Sequence, residues 1–170
     1  LGLGSSAAVA VALTTALYCA RGGELEPNTI FRIADTAHRA AQDGSGSGGD
    51  VAASVYGGMI LFRRYQPPVR VALPLGLGVF AVATGTGSST VDLVGRIAQY
   101  RRDQPDSYRR DMDSLLQLSE STADCLTSAD DFLHLVDDYF HALVALTRHS
   151  GAEIVTERHR ELRRLAAASD

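Results

Sequence analysis

The opening residues, Leu1-Gly2-Leu3-Gly4-Ser5-Ser6-Ala7-Ala8, run without a break into the small apolar stretch 9–17. A glycine-rich turn feeding a helix leaves the chain few local folds, and one of them holds phosphate. Glycine adopts backbone conformations that side chains forbid and lets main-chain N–H groups approach an anion. The first helical turn adds unpaired N–H groups and the positive end of the helix dipole. Ser5 and Ser6 add hydroxyls able to cap the helix, touch a phosphate or ligate Mg²⁺. The same residues also suit an ordinary capped helix after a tight turn, because short motifs recur by chance.

Two common phosphate loops do not fit. Gly2-Leu3-Gly4 lacks the third glycine of a dinucleotide loop, and no Gly-Lys-Ser/Thr occurs in the chain. What remains resembles the GLGSSAA nucleotide loop of the GHMP small-molecule kinases. A second stretch, Ala37-His38-Arg39-Ala40-Ala41-Gln42, leads into Gly44-Ser45-Gly46-Ser47-Gly48-Gly49-Asp50-Val51-Ala52-Ala53 and then Tyr56-Gly57-Gly58. It is similar to the AH..AQ…GSG.DVA…YG segment of the phosphomevalonate kinases within that superfamily. Mevalonate kinases usually carry a metal-binding glutamate on the helix before a related Ser-Gly-x-Asp, and Arg39 stands in that place here. A third stretch, Thr84-Gly85-Thr86-Gly87-Ser88-Ser89-Thr90, resembles the strand end that enters a helix through Ser-Thr in the same kinases. Beyond residue 101 the likeness is carried mainly by Ser150-Gly151-Ala152-Glu153.

The resemblance implies an α+β GHMP kinase fold, with residues 1–66 from the N-terminal nucleotide-binding domain and residues 69–170 from a ferredoxin-like C-terminal domain. It implies ATP and Mg²⁺ as cofactors, with Gly2, Leu3, Gly4, Ser5, Ser6 and Ala7 around the ATP phosphates and Ser6 on the metal. Asp50 is the expected catalytic residue, and His38, Ser45, Ser47 and Gly48 are expected at the substrate, 5-phosphomevalonate. Asp50 would equally serve as N-cap of a helix starting at Val51, Ser47 could bond its own backbone, and His38 could be a packed helix histidine. Another GHMP kinase, such as mevalonate kinase, and a non-catalytic nucleotide-binding or scaffolding protein are the alternative readings. GHMP kinases also carry an N-terminal lysine segment and a C-terminal glycine-rich loop. The chain has no lysine, so it reads as an internal piece of a longer kinase, inactive alone.

Composition bounds the remaining classes. A net charge of −4 argues against nucleic acid or an anionic membrane as partner. No apolar run reaches the length of a membrane span, and a cytoplasmic location is expected. Cys19 and Cys125, far apart and without metal-spaced companions, are expected to be buried free thiols.

Periodicity supplies the elements. Residues 6–19 are apolar nearly all round, the signature of a buried helix. Pro27 opens a helix to Gln42 with Ile30, Phe31, Ile33, Ala34, Ala37 and Ala41 on its apolar side. Strands are expected at 59–62, 69–73 and 79–83, with a domain boundary at Pro67-Pro68. Helices are expected at 91–102, 107–126, from Ser128 onward, and at 157–168 with Leu162 and Leu165 facing inward. Strands followed by clustered helices indicate α+β. The stretch 85–90 joins a strand to a helix through hydroxyl residues and is a candidate second anion nest.

Overall fold

The computed structural model describes residues 4–42, 44, 46–82 and 90–168. Gly2, Leu3, Ser45 and most of the expected anion nest lie outside the described residues. The chain divides into two compact units, one ending at Leu73 and one beginning at Pro74. The fold is α+β, mostly helical with one small sheet.

The first unit holds α1 (Ser5–Ala20), α2 (Pro27–Ala40), α3 (Gly49–Tyr56), β1 (Met59–Leu61) and β2 (Val69–Val71). Its core is built from small side chains: Ala7 of α1, Ala34 of α2 and Val51 of α3 are fully buried together, with Val11 and Phe31 packed against them. Alanine at such a contact lets helices approach closely. Pro27 sits in the first turn of α2, where its missing N–H costs nothing. Along α2 the row Ile30, Ala34, His38 is buried at a four-residue spacing, so the histidine continues the apolar row inward. Phe31 links the layers, tilted on Tyr56 and edge-on to Phe62, each at 6.2 Å between centroids.

Helix α1 is not buried all round as its composition suggests. Ala7, Val11, Thr14 and Tyr18 turn inward, whereas Val9, Leu13 and Leu17 form an outward row, 66%, 57% and 59% exposed. Cys19 is likewise exposed and Cys125 half-buried, so the thiols are free as expected but not buried. Strand β2 pairs antiparallel with β1, Ile60 opposite Arg70. Val69–Val71 therefore completes the first unit, and the division into units falls past Pro67-Pro68.

The second unit contains α4 (Thr90–Asp103), α5 (Pro105–Cys125), α6 (Ala129–Ser150) and α7 (Glu157–Ala167), and no strand among the described residues. The expected strand at 79–83 is absent over residues 79–82. Phe80 is 89% exposed there, and a strand forms only where a neighbour takes up its N–H and C=O groups. Ser128 caps α6, accepting from the Asp131 N–H at 3.3 Å. Leu162 and Leu165 are both exposed, 37% and 60%, rather than facing inward. Thr156 and His159 form the reciprocal box that starts α7.

A buried tyrosine ties the helices of this unit. Tyr100 of α4 donates to Asp111 Oδ2 of α5 at 2.8 Å, and His149 Nδ1 of α6 lies 2.9 Å from the same oxygen. Burial first, then the hydrogen bond to Asp111 and its negative charge, push the Tyr100 phenol above its ordinary value. A phenol raised in the folded state stabilises the fold below the unfolded value near 10, and that contribution is lost as pH rises through the folded value. Tyr100→Phe should cost about 1 kcal/mol at pH 8, because Asp111 keeps His149, and should flatten the stability loss between pH 9 and 11. Urea unfolding across that range checks this; parallel curves for both proteins would rule the linkage out.

Candidate active site

Three helix features converge at one end of the first unit. Gly4 is the N-cap of α1 in the left-handed region (φ 69°), with no described side chain capping the helix. The N–H groups of its first turn are thus left for another partner. Ser5 and Ser6 occupy that turn and are exposed, while the Ala7 side chain is buried in the core and can offer only its N–H. Asp50 is the second residue of α3, exposed, with Gly48 rather than Asp50 as the N-cap. Its Oδ1 accepts from the Val51 N–H at 2.9 Å.

The two helix starts meet. A Cβ built on Gly4 would sit 3.6 Å from the Asp50 Cβ, so the backbone turn before α1 lies directly against the acid. Glycine at position 4 serves both the positive φ and this approach. The α1 dipole end therefore faces a carboxylate that an anion would bridge only with a cation between them.

His38 reaches the same place from α2. Its Nε2 lies 3.1 Å from the Ser6 hydroxyl and 3.3 Å from the Gln42 Nε2. Ser6, His38 and Gln42 thus form one hydrogen-bonding set at the start of α1. His38 is buried, and its placement is against Ser6.

The glycine-rich loop before α3 is anchored by residues that sequence reasoning missed. Arg39 Nε donates to Asp35 Oδ2 at 2.8 Å, and its Nη2 donates to the Ser47 carbonyl at 3.1 Å. The Ser47 hydroxyl accepts from the Gly49 N–H at 3.2 Å, bonding its own loop. Gly48 (φ 85°) is buried over the Asp35 carboxylate. The sequence showed Arg39 as a departure from a related motif, and its four-residue spacing from Asp35 puts the two on one helix face. At the far end of α3, burial and then Glu26 hold the Tyr56 phenol above its ordinary value, keeping it a donor to Asn28.

The donor set suits a hard cation shared with phosphate oxygens. No group of three or more His, Cys, Asp or Glu side chains that could hold a metal occurs among the described residues. Mg²⁺ needs no such cage, since it keeps waters and takes one or two protein oxygens plus substrate phosphates. Oxygen-bearing side chains of that kind, Ser6 and Asp50, stand at the starts of α1 and α3. Among the described residues no helix is long and apolar enough to cross a membrane.

Comparison with known proteins gives the family of the first unit. Residues 1–58 match the family described as GHMP kinases N terminal domain. The chain is 36% identical over 104 residues to a phosphomevalonate kinase of Saccharolobus solfataricus, covering 58% of this chain and 32% of the relative. It is 33% identical over 161 residues to a phosphomevalonate kinase of Streptomyces sp. strain CL190, covering 81% and 41%. A mevalonate kinase of Archaeoglobus fulgidus is 32% identical over 123 residues, covering 72% and 41%. The chain thus spans about a third to two-fifths of the length of these relatives. No solved structure gives a significant match.

Proposed function

The chain belongs to the GHMP kinases through its first 58 residues, and from that premise we propose that it is part of a phosphomevalonate kinase. The intact enzyme would transfer the γ-phosphoryl of ATP to 5-phosphomevalonate, giving the 5-diphosphate in the mevalonate route to isoprenoids, in the cytoplasm. The observation that carries the reading is the Gly4 N-cap of α1 set against Asp50 of α3. Phosphoryl transfer asks the protein mainly to position groups and to stabilise charge on the moving phosphoryl.

Each residue then has a physical task. Gly4, Ser5, Ser6 and Ala7 at the start of α1, together with Gly2 and Leu3 of the same sequence motif, would offer N–H groups to the ATP phosphates. Ser6, positioned by His38, would offer its hydroxyl oxygen to Mg²⁺. The metal, when bound, neutralises charge on the β- and γ-phosphates. Asp50 orients the acceptor or the metal rather than removing a proton, since a phosphate acceptor is largely ionised near pH 7. Ser45, Ser47 and Gly48 of the glycine-rich segment would meet the acceptor, with His38 behind Ser6. The second unit would be the start of the C-terminal domain.

Two matched relatives named phosphomevalonate kinase, and Arg39 in place of a metal-binding glutamate, support the acceptor assignment. A mevalonate kinase among the relatives makes mevalonate the competing acceptor. ADP release by the full-length enzyme should be measured with each acceptor at equal ATP and Mg²⁺. The expected result is a kcat/KM at least about 100-fold higher for 5-phosphomevalonate, because a site built for a second phosphate is left unpaired by an alcohol. A preference for mevalonate would overturn the acceptor, and turnover with neither would favour a nucleotide-binding module.

A further inference from the structure

We infer that Arg39, held by Asp35, is a positioning residue that fixes the glycine-rich loop at both ends and so sets where Asp50 stands. The guanidinium supplies one anchor, donating from Nη2 to the Ser47 carbonyl while Nε is occupied by Asp35. The Arg39 backbone supplies the other, its carbonyl accepting from the Gln42 and Gly44 N–H groups, each at 2.9 Å. One residue thus grips the loop where it leaves α2 and where it enters α3. Asp50 follows Ser47 within the first turn of α3, so the register of that helix start is passed straight to the carboxylate.

The role of Arg39 is mechanical rather than electrostatic. Its charge is matched by Asp35, and the pair is largely shielded, at 19% and 18% side-chain exposure. An arginine is required for a geometric reason: a planar fork serves a carboxylate and a carbonyl together, whereas a lysine ammonium on one stem does not. Gly48 completes the device, because a side chain there would occupy the position of Asp35 Oδ1.

The inference rests on the kinase reading for its catalytic consequence but not for its structural one, and the experiment separates them. In the full-length enzyme, Arg39→Ala should lower kcat by roughly 100-fold, the cost of about 1 Å of misplacement, with KM for ATP within about threefold. Arg39→Lys should recover only part of that loss. Full recovery by lysine would mean that charge alone matters and would overturn the strap. Amide hydrogen exchange, read without substrate, should quicken about tenfold over residues 46–52 in Arg39→Ala, with α1 unchanged. Should that variant fail to fold, Arg39→Lys is read in the same way. Unchanged exchange and unchanged kcat would sink the proposal. Faster loop exchange in an enzyme that phosphorylates neither acceptor would keep the strap and discard the kinase reading.

Discussion

Replacing Asp50 with asparagine in the full-length enzyme is expected to lower kcat by about 10²–10³-fold while the Kd for ATP stays within about twofold. The magnitude is that of removing one preorganised electrostatic group from a transition state. Asparagine keeps the shape, and its carbonyl oxygen can still accept from the Val51 N–H now bound to Oδ1. Only the interaction of a full charge with the helix start is lost, about 0.3–1 kcal/mol of stability. On the proposed reading ATP would be held mainly by the backbone at the start of α1, which the substitution does not touch. A fall in kcat with ground-state binding intact marks an interaction made in the transition state. Steady-state kinetics with an independent ATP titration decides the matter: a mutant with most of its kcat would leave Asp50 a helix-start residue and nothing more.

Gly48→Ala is expected to destabilise the first unit by roughly 3 kcal/mol, and Gly44→Ala by about half as much. Both glycines have φ near +80°, which costs other residues about 1–2 kcal/mol. Their surroundings differ. A Cβ at Gly44 meets nothing within 4 Å, whereas one at Gly48 falls 2.5 Å from Asp35 Oδ1 and 3.2 Å from Arg39 Nη2. The carboxylate is held through its other oxygen by Arg39 at 2.8 Å, so it cannot move aside without disturbing that pair. Crowding of this kind adds about 1–3 kcal/mol. Urea unfolding of the two variants checks the difference, and equal losses would show that backbone strain acts alone.

What could be read in the sequence follows from what leaves a local mark. The turn at Gly4 with Ser5 and Ser6, the proline start of α2 and the Ser128 cap of α6 each combine a residue type with a position, and each stands where expected. The inward side of α1 left no such mark, because Val9, Leu13 and Leu17 are as apolar as Ala7 and Val11 and composition cannot rank two apolar faces. Phe80 and its neighbours have strand chemistry, but pairing is a tertiary fact. Within the site, His38 was visible as a motif residue, yet its partner Ser6 lies 32 positions away. Arg39 was visible only as a departure from a related motif. Its partner at Ser47 is a carbonyl, which every residue possesses and no sequence displays.

The outward row on α1 leaves the first unit open to stabilisation from outside. Each of Val9, Leu13 and Leu17 is more than half exposed. Covering what remains of all three is worth roughly 3–5 kcal/mol, set against about 5–15 kcal/mol for the whole stability of a domain. Any surface that binds the row in the folded state and not in the unfolded one draws the folding equilibrium with it. The helix that carries the row at one end of its register carries Gly4 at its start. Leu13, a residue with no polar atom in its side chain and no place near a phosphate, therefore helps decide what fraction of molecules has Gly4 and Asp50 side by side.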